Sequence, residues 1–392
     1  MHPPSPTPPA DGTPPQGIRD LPSLHPSMLR PRRRMRGTAF PFREEAVEYF
    51  YLARNAIYAL CKHWELAGTE VLVPSYFHGV EIEALLAADV RLRFYPVDRN
   101  MQVDAAQVEA LVTSKTSAIY LIHYLGFPGP VEALRTACDT HGIKLIEDCA
   151  LALLSESGTG PLGSLGDGSV FCLYKTLPVP SGGALWLKSG DLGRIPSSTR
   201  KAPLRAAWGR VVSSLIEHYE LRDNVVARSI WSSVRRIGRS AAQRVEPERI
   251  DVGSQDLNLD HIHLGMNRVS RTILRNQDFP AIIQRRRANY ELLHEALADL
   301  SEPIFTHLPP GVCPLFFPIR VREEKSSIIA RLKKRGIHAI NLWLEPHPVL
   351  PPGRFPAADE LRRTVLELPC HQDLDADDVL RIAAVVREEW KG

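Results

Sequence analysis

The stretch that decides the fold runs from Ile143 to Gly183 and reads IKLIEDCALALLSESGTGPLGSLGDGSVFCLYKTLPVPSGG. It begins with a short apolar strand that ends in an acidic residue, Asp148. A glycine-rich turn follows, and a second apolar strand then carries Lys175 shortly before a double glycine. We predict that the carboxylate lies at a strand end, that the lysine lies on a neighbouring strand, and that both face one cleft.

A carboxylate and a lysine held in this way are the two groups that pyridoxal phosphate chemistry requires. The carboxylate keeps the pyridine nitrogen protonated so that the ring can accept electrons, and the lysine forms the Schiff base and later moves the proton. The alternative is a helix-capping acid after a strand and an unrelated surface lysine. The context favours the cofactor interpretation, with Asp148 and Lys175 as the catalytic pair.

Composition limits the classes of protein to consider. A chain of 392 residues is long for one core, so we expect a large domain and a smaller one. A net charge of +3 is too small to imply nucleic acid. The sequence has neither an apolar run of about 18 residues that could span a membrane nor an apolar signal core near residue 1. The six cysteines form no CxxC pair, so we interpret them as reduced core residues of a cytoplasmic enzyme and expect no metal.

The order of elements predicts an α/β fold with a mostly parallel central sheet covered by helices. Residues 1–40 are rich in proline and are predicted to be a disordered tail, whose basic run from Arg30 is more simply a solvated segment than a contact for an acidic partner or membrane. Helices and strands then alternate over residues 41–260, beginning with a helix from about Arg43 to Leu66. In such sheets, ligands bind at the carboxyl ends of the strands.

Two further regions complete the predicted organisation. Residues 201–246 have apolar side chains at helical spacing among many arginines, which predicts a helical insert packed on the large domain or on a second subunit. A helix lying on a membrane face is the alternative. Residues 261–392 contain a long helix, two short strands and two further helices, which predicts a small C-terminal α+β domain.

In this order the motifs resemble those of the DegT/DnrJ/EryC1/StrS aminotransferases, which are fold type I pyridoxal phosphate enzymes acting mainly on nucleotide-linked keto sugars. The resemblance extends from about Arg43 to the C-terminus. The motifs that carry it are EVLVPSY, IHYLGFPGPVEAL, KLIEDCA, GSLGDGSVFCLYKTLPVPSGGAL, RRRANY and LELPCHQDLDADDV. The resemblance implies the fold type I architecture with its small C-terminal domain.

The resemblance also implies roles for individual residues. Asp148 matches the carboxylate that pairs with the pyridine nitrogen, and Lys175 matches the Schiff-base lysine. The turn that binds the cofactor phosphate corresponds to Arg54, Asn55 and Ala56, where amides at a helix start bind an anion whatever the side chain.

Three positions depart from the family pattern or leave a choice. Either Phe77 or His78 corresponds to the flat residue over the cofactor ring, and His78 could equally be a turn residue. Cys172, which we include among the cofactor-binding residues, replaces the usual serine before the lysine, and the stretch between them is shorter than usual. Leu151 replaces a glutamine. These differences are typical of a divergent branch.

The remaining candidates concern the partner subunit and the substrate. Asn267 in LGMNRVS matches an asparagine that reaches the phosphate bound by the other subunit, which implies a homodimer, although a helix-capping asparagine is the competing interpretation. His123 is more often structural than catalytic. Trp343, Glu345 and His347 are interpreted as lining the substrate entrance or, alternatively, as part of a hydrophobic cap.

The function implied by the resemblance is an aminotransferase. Glutamate or a similar amino acid would donate the amino group, and a ketone, most simply that of a nucleotide-linked sugar, would accept it. A dehydrating pyridoxal phosphate enzyme is disfavoured because members of that kind use a histidine in place of Lys175. A noncatalytic or regulatory cofactor-binding homologue is the remaining alternative, suggested by Leu151 and the altered phosphate turn.

Overall fold

A computed structural model describes residues 17–30, 39–193, 195, 200–202, 210–215 and 257–390. Of the arginine-rich insert predicted over 201–246, the described residues include only 201–202 and 210–215, and the latter are helical. The basic run that follows Arg30 also lies outside them. The described residues contain ten α-helices with assigned bounds and thirteen strands.

Most strands form one nine-stranded sheet in the order β10-β11-β1-β9-β8-β5-β4-β2-β3. The strands are β1 (Val47–Phe50), β2 (Glu70–Pro74), β3 (Arg91–Tyr95), β4 (Thr116–Ile122), β5 (Lys144–Asp148), β6 (Glu156–Ser157), β7 (Gly160–Pro161), β8 (Gly168–Cys172), β9 (Gly183–Leu187), β10 (Arg200–Lys201), β11 (Leu264–Gly265), β12 (Phe316–Arg320) and β13 (Val365–Pro369). The helices are α1 (Ala53–His63), α2 (Val80–Ala87), α3 (Ala105–Glu109), α4 (Val131–His141), α5 (Leu173–Thr176), α6 (Arg268–Arg275), α7 (Phe279–Leu297), α8 (Lys325–Lys334), α9 (Pro356–Thr364) and α10 (Ala376–Glu389).

The centre of the sheet is parallel, as predicted. Strands β3, β2, β4, β5 and β8 pair in parallel, and their side chains are mostly apolar because helices cover both faces. Ile122 pairs with Asp148, and Asp148 pairs in turn with Val170. This register brings the ends of β4, β5 and β8 to the same edge of the sheet, where a ligand is expected.

Two predicted elements are wrong. The segment from Arg43 to Leu66 is not one helix, because β1 precedes α1 and pairs antiparallel with β9 from Val47↔Trp186 to Phe50↔Gly183. Lys175 does not lie on a strand, since β8 ends at Cys172 and the lysine occupies the single helical turn α5. In both places tertiary pairing, which the local sequence does not reveal, sets the boundary.

The prediction of a disordered tail is wrong for residues 17–30. Ile18 is buried, its amide donates to the carbonyl of Gly336 at 2.7 Å, and Leu24 is fully buried. The amide of Ser23 donates to Asp373 Oδ2 at 2.6 Å, which ties this segment to a residue 350 positions further along the chain. These apolar side chains are too few to form a pattern in the sequence, but in the fold they are buried against the hydrophobic core.

The later part of the chain carries its own two-stranded sheet. Strands β12 and β13 pair antiparallel in the register Phe316↔Pro369 to Arg320↔Val365. The strand predicted over IHAINLWL is reduced to two isolated bridges, Ile18↔Ile337 and Ile340↔Glu367. All six cysteines are buried and free, as predicted. Among the helices described here, none has the length and apolarity that crossing a membrane requires.

Candidate active site

A cavity of about 310 Å³ lies at the carboxyl edge of the parallel strands. Asp148, at the end of β5, and Lys175, in the turn after β8, both line it. The side chains of Arg54, His78 and Cys172 line the same cavity. The sequence therefore identified five residues that converge on one site, although they come from four separate segments of the chain.

Asp148 is held as a buried carboxylate by two donors. The hydroxyl of Tyr120 donates to Asp148 Oδ2 at 2.6 Å, and the amide of Ala150 donates to Oδ1 at 2.8 Å. Burial raises the pKa of Asp148 above its usual value, while these two hydrogen bonds and the charge of Lys175 act to lower it. The arrangement fixes the position of a carboxyl group that can accept a further hydrogen bond from a cationic ring nitrogen.

The start of helix α1, where the phosphate turn was predicted, lies at the cavity. Leu52 precedes the helix and makes no side-chain capping bond, while Ala53 and Arg54 line the cavity. The first amides of a helix lack partners inside it and favour an anion. Gly183 on β9 allows the close approach of this helix start, because a Cβ there would lie 2.5 Å from the carbonyl carbon and oxygen of Leu52.

The neighbouring residues of the predicted phosphate turn do not line the cavity. Asn55 is buried, and its side-chain amide donates to the carbonyl of His261 at 2.7 Å. Ala56 is buried in the apolar core. Both face away because the helix turns by about 100° at each residue, so the face of α1 toward the site carries Ala53, Arg54 and Ile57.

Of the two candidates for a flat residue over the cofactor ring, His78 lines the cavity. Phe77 packs into the core instead, stacked on Phe94 with ring centroids 5.7 Å apart. Burial, with the nearby charges of Lys175, Arg54 and Arg362, lowers the pKa of His78 to about 3. The imidazole is therefore a neutral flat ring at physiological pH.

Asn267 has the geometry of a helix cap in this chain. Its Oδ1 accepts from the amide of Ser270 at 2.8 Å at the start of α6, and its Nδ2 donates to Ser181 Oγ at 3.2 Å. The residue is buried and does not line the cavity. The capping interpretation thus accounts for its contacts, and its role toward a second subunit stays a prediction.

Three other predicted residues fall into different places. Trp343 lines the cavity, whereas Glu345 is exposed and does not. His347 is mostly buried and lies 2.7 Å from Glu83 Oε1 through its Nε2. Glu345 therefore belongs to the outer surface, and His347 belongs to a contact with α2.

His123 is structural, as its position suggested. Its Nδ1 accepts from the amide of Gly129 at 3.0 Å, so Nε2 carries the proton and donates to Glu147 Oε2 at 2.9 Å. Although burial disfavours a charged Glu147, His123 and the amides of Gly166 and Gly163 keep the pKa of this carboxyl below its usual value. This buried pair fixes β5 and the glycine-rich turn behind the site.

Sequence reasoning missed several residues that shape the cavity. Glu81 on α2 lines it and accepts from the amide of His78 at 2.8 Å. Burial and the neighbouring Asp148 raise the pKa of Glu81. Asp20 and Leu21 also line the cavity, from the segment that was predicted to be disordered. Of these residues, only Tyr120 could have been noticed in the sequence, because its hydroxyl is a polar group within a mostly apolar strand.

The fold and the paired acid and lysine define the class as a fold type I aminotransferase. The chain belongs to the DegT/DnrJ/EryC1/StrS aminotransferase family, whose pattern it matches over residues 55–227 and 262–387. This confirms the predicted family and fold class and the predicted enzyme class.

Individual relatives are distant. A GDP-perosamine synthase of Vibrio cholerae is 28% identical over 127 residues, a match that covers 32% of this chain and 35% of the relative. A UDP-N-acetyl-3-dehydro-alpha-D-glucosamine 3-aminotransferase of Acidithiobacillus ferrooxidans is 24% identical, covering 83% of this chain and 79% of the relative. The solved structure of the putative sugar aminotransferase Spr1654 from Streptococcus pneumoniae, in its PMP form, has a TM-score of 0.63 at 16% identity and covers 88% of this chain and 87% of that one.

Proposed function

We propose that the cavity binds pyridoxal 5′-phosphate and that the protein moves an amino group from an amino acid, L-glutamate or a similar donor, to a ketone. The acceptor we propose is the keto group of a nucleotide-linked sugar, and the working form is a cytoplasmic homodimer. The observation that carries the proposal is that Asp148 and Lys175 line one cavity of about 310 Å³ in a chain of this family. The nucleotide-linked sugars in the names of the two relatives support the sugar class.

The residues of the cavity fit this cofactor. Asp148 would hold the ring nitrogen, the start of α1 with Arg54 would hold the phosphate, and His78 would lie against the ring face. When bound, pyridoxal phosphate supplies an electron sink for the carbon atom whose proton is removed. The structure of the Streptococcus pneumoniae protein is of its PMP form. PMP is pyridoxamine phosphate, the aminated state of the same cofactor.

Lys175 is the residue that we expect to move the proton. It lines the cavity with Asp148, and no other lysine lines that cavity in the described part of the chain. Acting first as base and then as acid, it would take the proton from the donor's α-carbon and return it to the cofactor side. The apolar lining from Leu21, Ile57 and Leu342 would limit access of water to these atoms.

The test is a half-reaction with the purified protein. Pyridoxal phosphate should give the absorbance of a lysine-bound cofactor, and L-glutamate should convert it with release of one equivalent of 2-oxoglutarate. Lys175→Ala should abolish both signals, and Lys188→Ala, an exposed lysine after β9, should change neither. A protein that binds no cofactor, or whose Lys175→Ala variant behaves as wild type, would overturn the proposal.

A noncatalytic cofactor-binding homologue is the second candidate. It is favoured by Leu151, an apolar side chain that lines the cavity where the family often places a glutamine. In that case the protein would bind pyridoxal phosphate stably but would show no half-reaction with any amino acid donor.

A further inference from the structure

One wall of the cavity is formed by the segment Ile340–Trp343, whose four residues all line it. The segment lies in no helix or strand and has a single bridge, Ile340↔Glu367. Trp343 has a φ of 53°, a left-handed conformation that costs of order 1–2 kcal/mol for a residue other than glycine. Contacts from outside the segment must therefore hold its backbone.

Two buried ionisable side chains hold its centre. The backbone of Ile340 exchanges hydrogen bonds of 2.8 and 3.2 Å with that of Glu367. The carboxylate of Glu367 accepts from the amide of Leu342 at 3.1 Å through Oε2. Lys325 Nζ donates to the carbonyl of Leu342 at 3.2 Å and to that of Val365 at 3.1 Å. Both backbone polar groups of Leu342 are thus bound by side chains from β13 and α8.

A third buried ionisable side chain holds its end. Arg362 on α9 donates through Nη1 to the carbonyl of Trp343 at 2.9 Å and to that of Phe77 at 3.1 Å. Its Nη2 donates to the carbonyl of Ser75 at 3.3 Å. One guanidinium therefore joins the wall segment to the turn that precedes His78, so the two sides of the cavity are fixed relative to each other.

These three ionisable groups are costly for the fold, and burial raises the pKa of Glu367 to about 8. Lys325 is 1% exposed, Glu367 is 0% exposed and Arg362 is 3% exposed. Burying an ion costs several kcal/mol, and replacing buried charged groups by apolar residues of similar volume is often neutral or stabilising. None of the three lines the cavity. Stability alone is therefore a poor reason for three buried ionisable groups around four residues.

The segment Ile340–Trp343 presents one polar side chain to the cavity, that of Asn341. Asn341 is exposed and lines the cavity, whereas its neighbours Ile340 and Leu342 are apolar. A carboxamide offers two donors and an acceptor in one plane. Since the flanking backbone is held on both sides, the backbone position from which this side chain extends into the cavity is fixed.

We propose that Lys325, Glu367 and Arg362 are positioning residues that hold Ile340–Trp343 and so present Asn341 to an oxygen atom of the substrate. The group recognised is a carboxylate, carbonyl or hydroxyl. The inference rests on the proposed function, in which the amino donor and the ketone occupy the same cavity in turn. L-glutamate is therefore a sufficient probe for the contact.

The test replaces the buried charges by apolar residues in the double variant Lys325→Met/Glu367→Leu. We expect its melting temperature to stay at or above that of the wild type and its pyridoxal phosphate dissociation constant to change by less than about threefold. The KM for L-glutamate in the half-reaction should rise about tenfold or more, with kcat changed far less. Asn341→Ala should reproduce that rise, and Lys334→Met, an exposed lysine on α8, should have no effect.

Combining the changes separates positioning from general weakening. The triple variant is Lys325→Met/Glu367→Leu/Asn341→Ala. If Lys325 and Glu367 act through Asn341, the KM of this variant for L-glutamate should be no higher than that of Asn341→Ala alone, since the effects of interacting residues are not additive. Additive losses, or a KM that rises only in proportion to a loss of melting temperature, would overturn the proposal.

A second measurement keeps this inference separate from the proposed function. Hydrogen exchange in the peptide that covers 340–343 should be faster in Lys325→Met/Glu367→Leu than in the wild type, even if the wild type shows no half-reaction. If exchange is unchanged, the charges do not hold the segment and the inference fails. If exchange rises while no amino acid donor reacts, the proposed function fails and the holding role stands, but the assignment of Asn341 is withdrawn.

Discussion

The hydrogen bond from Tyr120 to Asp148 provides the sharpest test of the candidate site. In Tyr120→Phe the ring remains packed, but Asp148 Oδ2 loses the donor that lies 2.6 Å away. A hydrogen bond to a buried charged group contributes about 1.5–3 kcal/mol. Because 1.36 kcal/mol corresponds to one pKa unit, loss of the bond should raise the pKa of Asp148 by roughly one to two units.

The direction of the pH effect follows from the role of the carboxylate. Burial already raises the pKa of Asp148, and Tyr120 partly opposes that effect. Only the ionised carboxylate can pair with a protonated ring nitrogen, so cofactor binding should weaken as pH falls through this pKa. In Tyr120→Phe the acid limb should move to higher pH by roughly one to two units, which weakens binding about 10- to 100-fold below both midpoints.

The assay is a titration of apo protein with pyridoxal phosphate, followed by absorbance at a series of pH values. Tyr95→Phe is the matched control, because Tyr95 is also buried in the sheet but donates to the backbone carbonyl of Tyr120 at 2.8 Å. It should lower stability by about 1 kcal/mol and leave the acid limb in place. Identical limbs for Tyr120→Phe and wild type, or an equal shift in Tyr95→Phe, would refute the reasoning.

Three further substitutions test the frame of the site. Glu147→Gln should lower the free energy of unfolding at neutral pH by about 3 kcal/mol, because buried donors, including His123, lose a charged acceptor. Since the pKa of Glu147 is lowered in the fold, the difference from wild type in urea denaturation should shrink as pH falls below about 4.5, and a constant difference would contradict this. Gly183→Ala should lower the free energy of unfolding by about 1–3 kcal/mol in the same assay, since the added methyl group meets the backbone of Leu52. It should also weaken cofactor binding. An unchanged dissociation constant would show that this helix start does not bind the phosphate. His78→Phe should bind pyridoxal phosphate within about threefold of wild type at pH 6 and pH 8, because the imidazole is neutral at both; a loss of 100-fold would indicate a hydrogen-bonding role instead.

The sequence predicted the centre of the fold well because that part is locally determined. Strands β2, β4 and β5 are short apolar runs between amphipathic helices, and their order requires a parallel sheet. Strand β1 was missed because it gains its partners from β9 and β11, more than a hundred residues away. The segment 17–30 was missed because its few apolar residues show no periodicity.

The same division applies to the site. The residue types and spacing of their motif identified Asp148 and Lys175, and the family resemblance added His78 as one of two candidates. Glu81 and Asn341 could not be identified in this way, since nothing in their neighbouring residues distinguishes them from surface positions. Only the folded chain shows that each lines the cavity.

The buried first segment of the chain has a practical consequence for anyone who trims the gene. The family match begins at residue 55, which invites an expression clone that starts near Phe40. Such a truncated protein would lack Asp20 and Leu21 and with them one side of the cavity, and Asp373 would lose its bond to Ser23. A catalytic unit defined by homology alone would therefore be purified with its pocket already open to solvent.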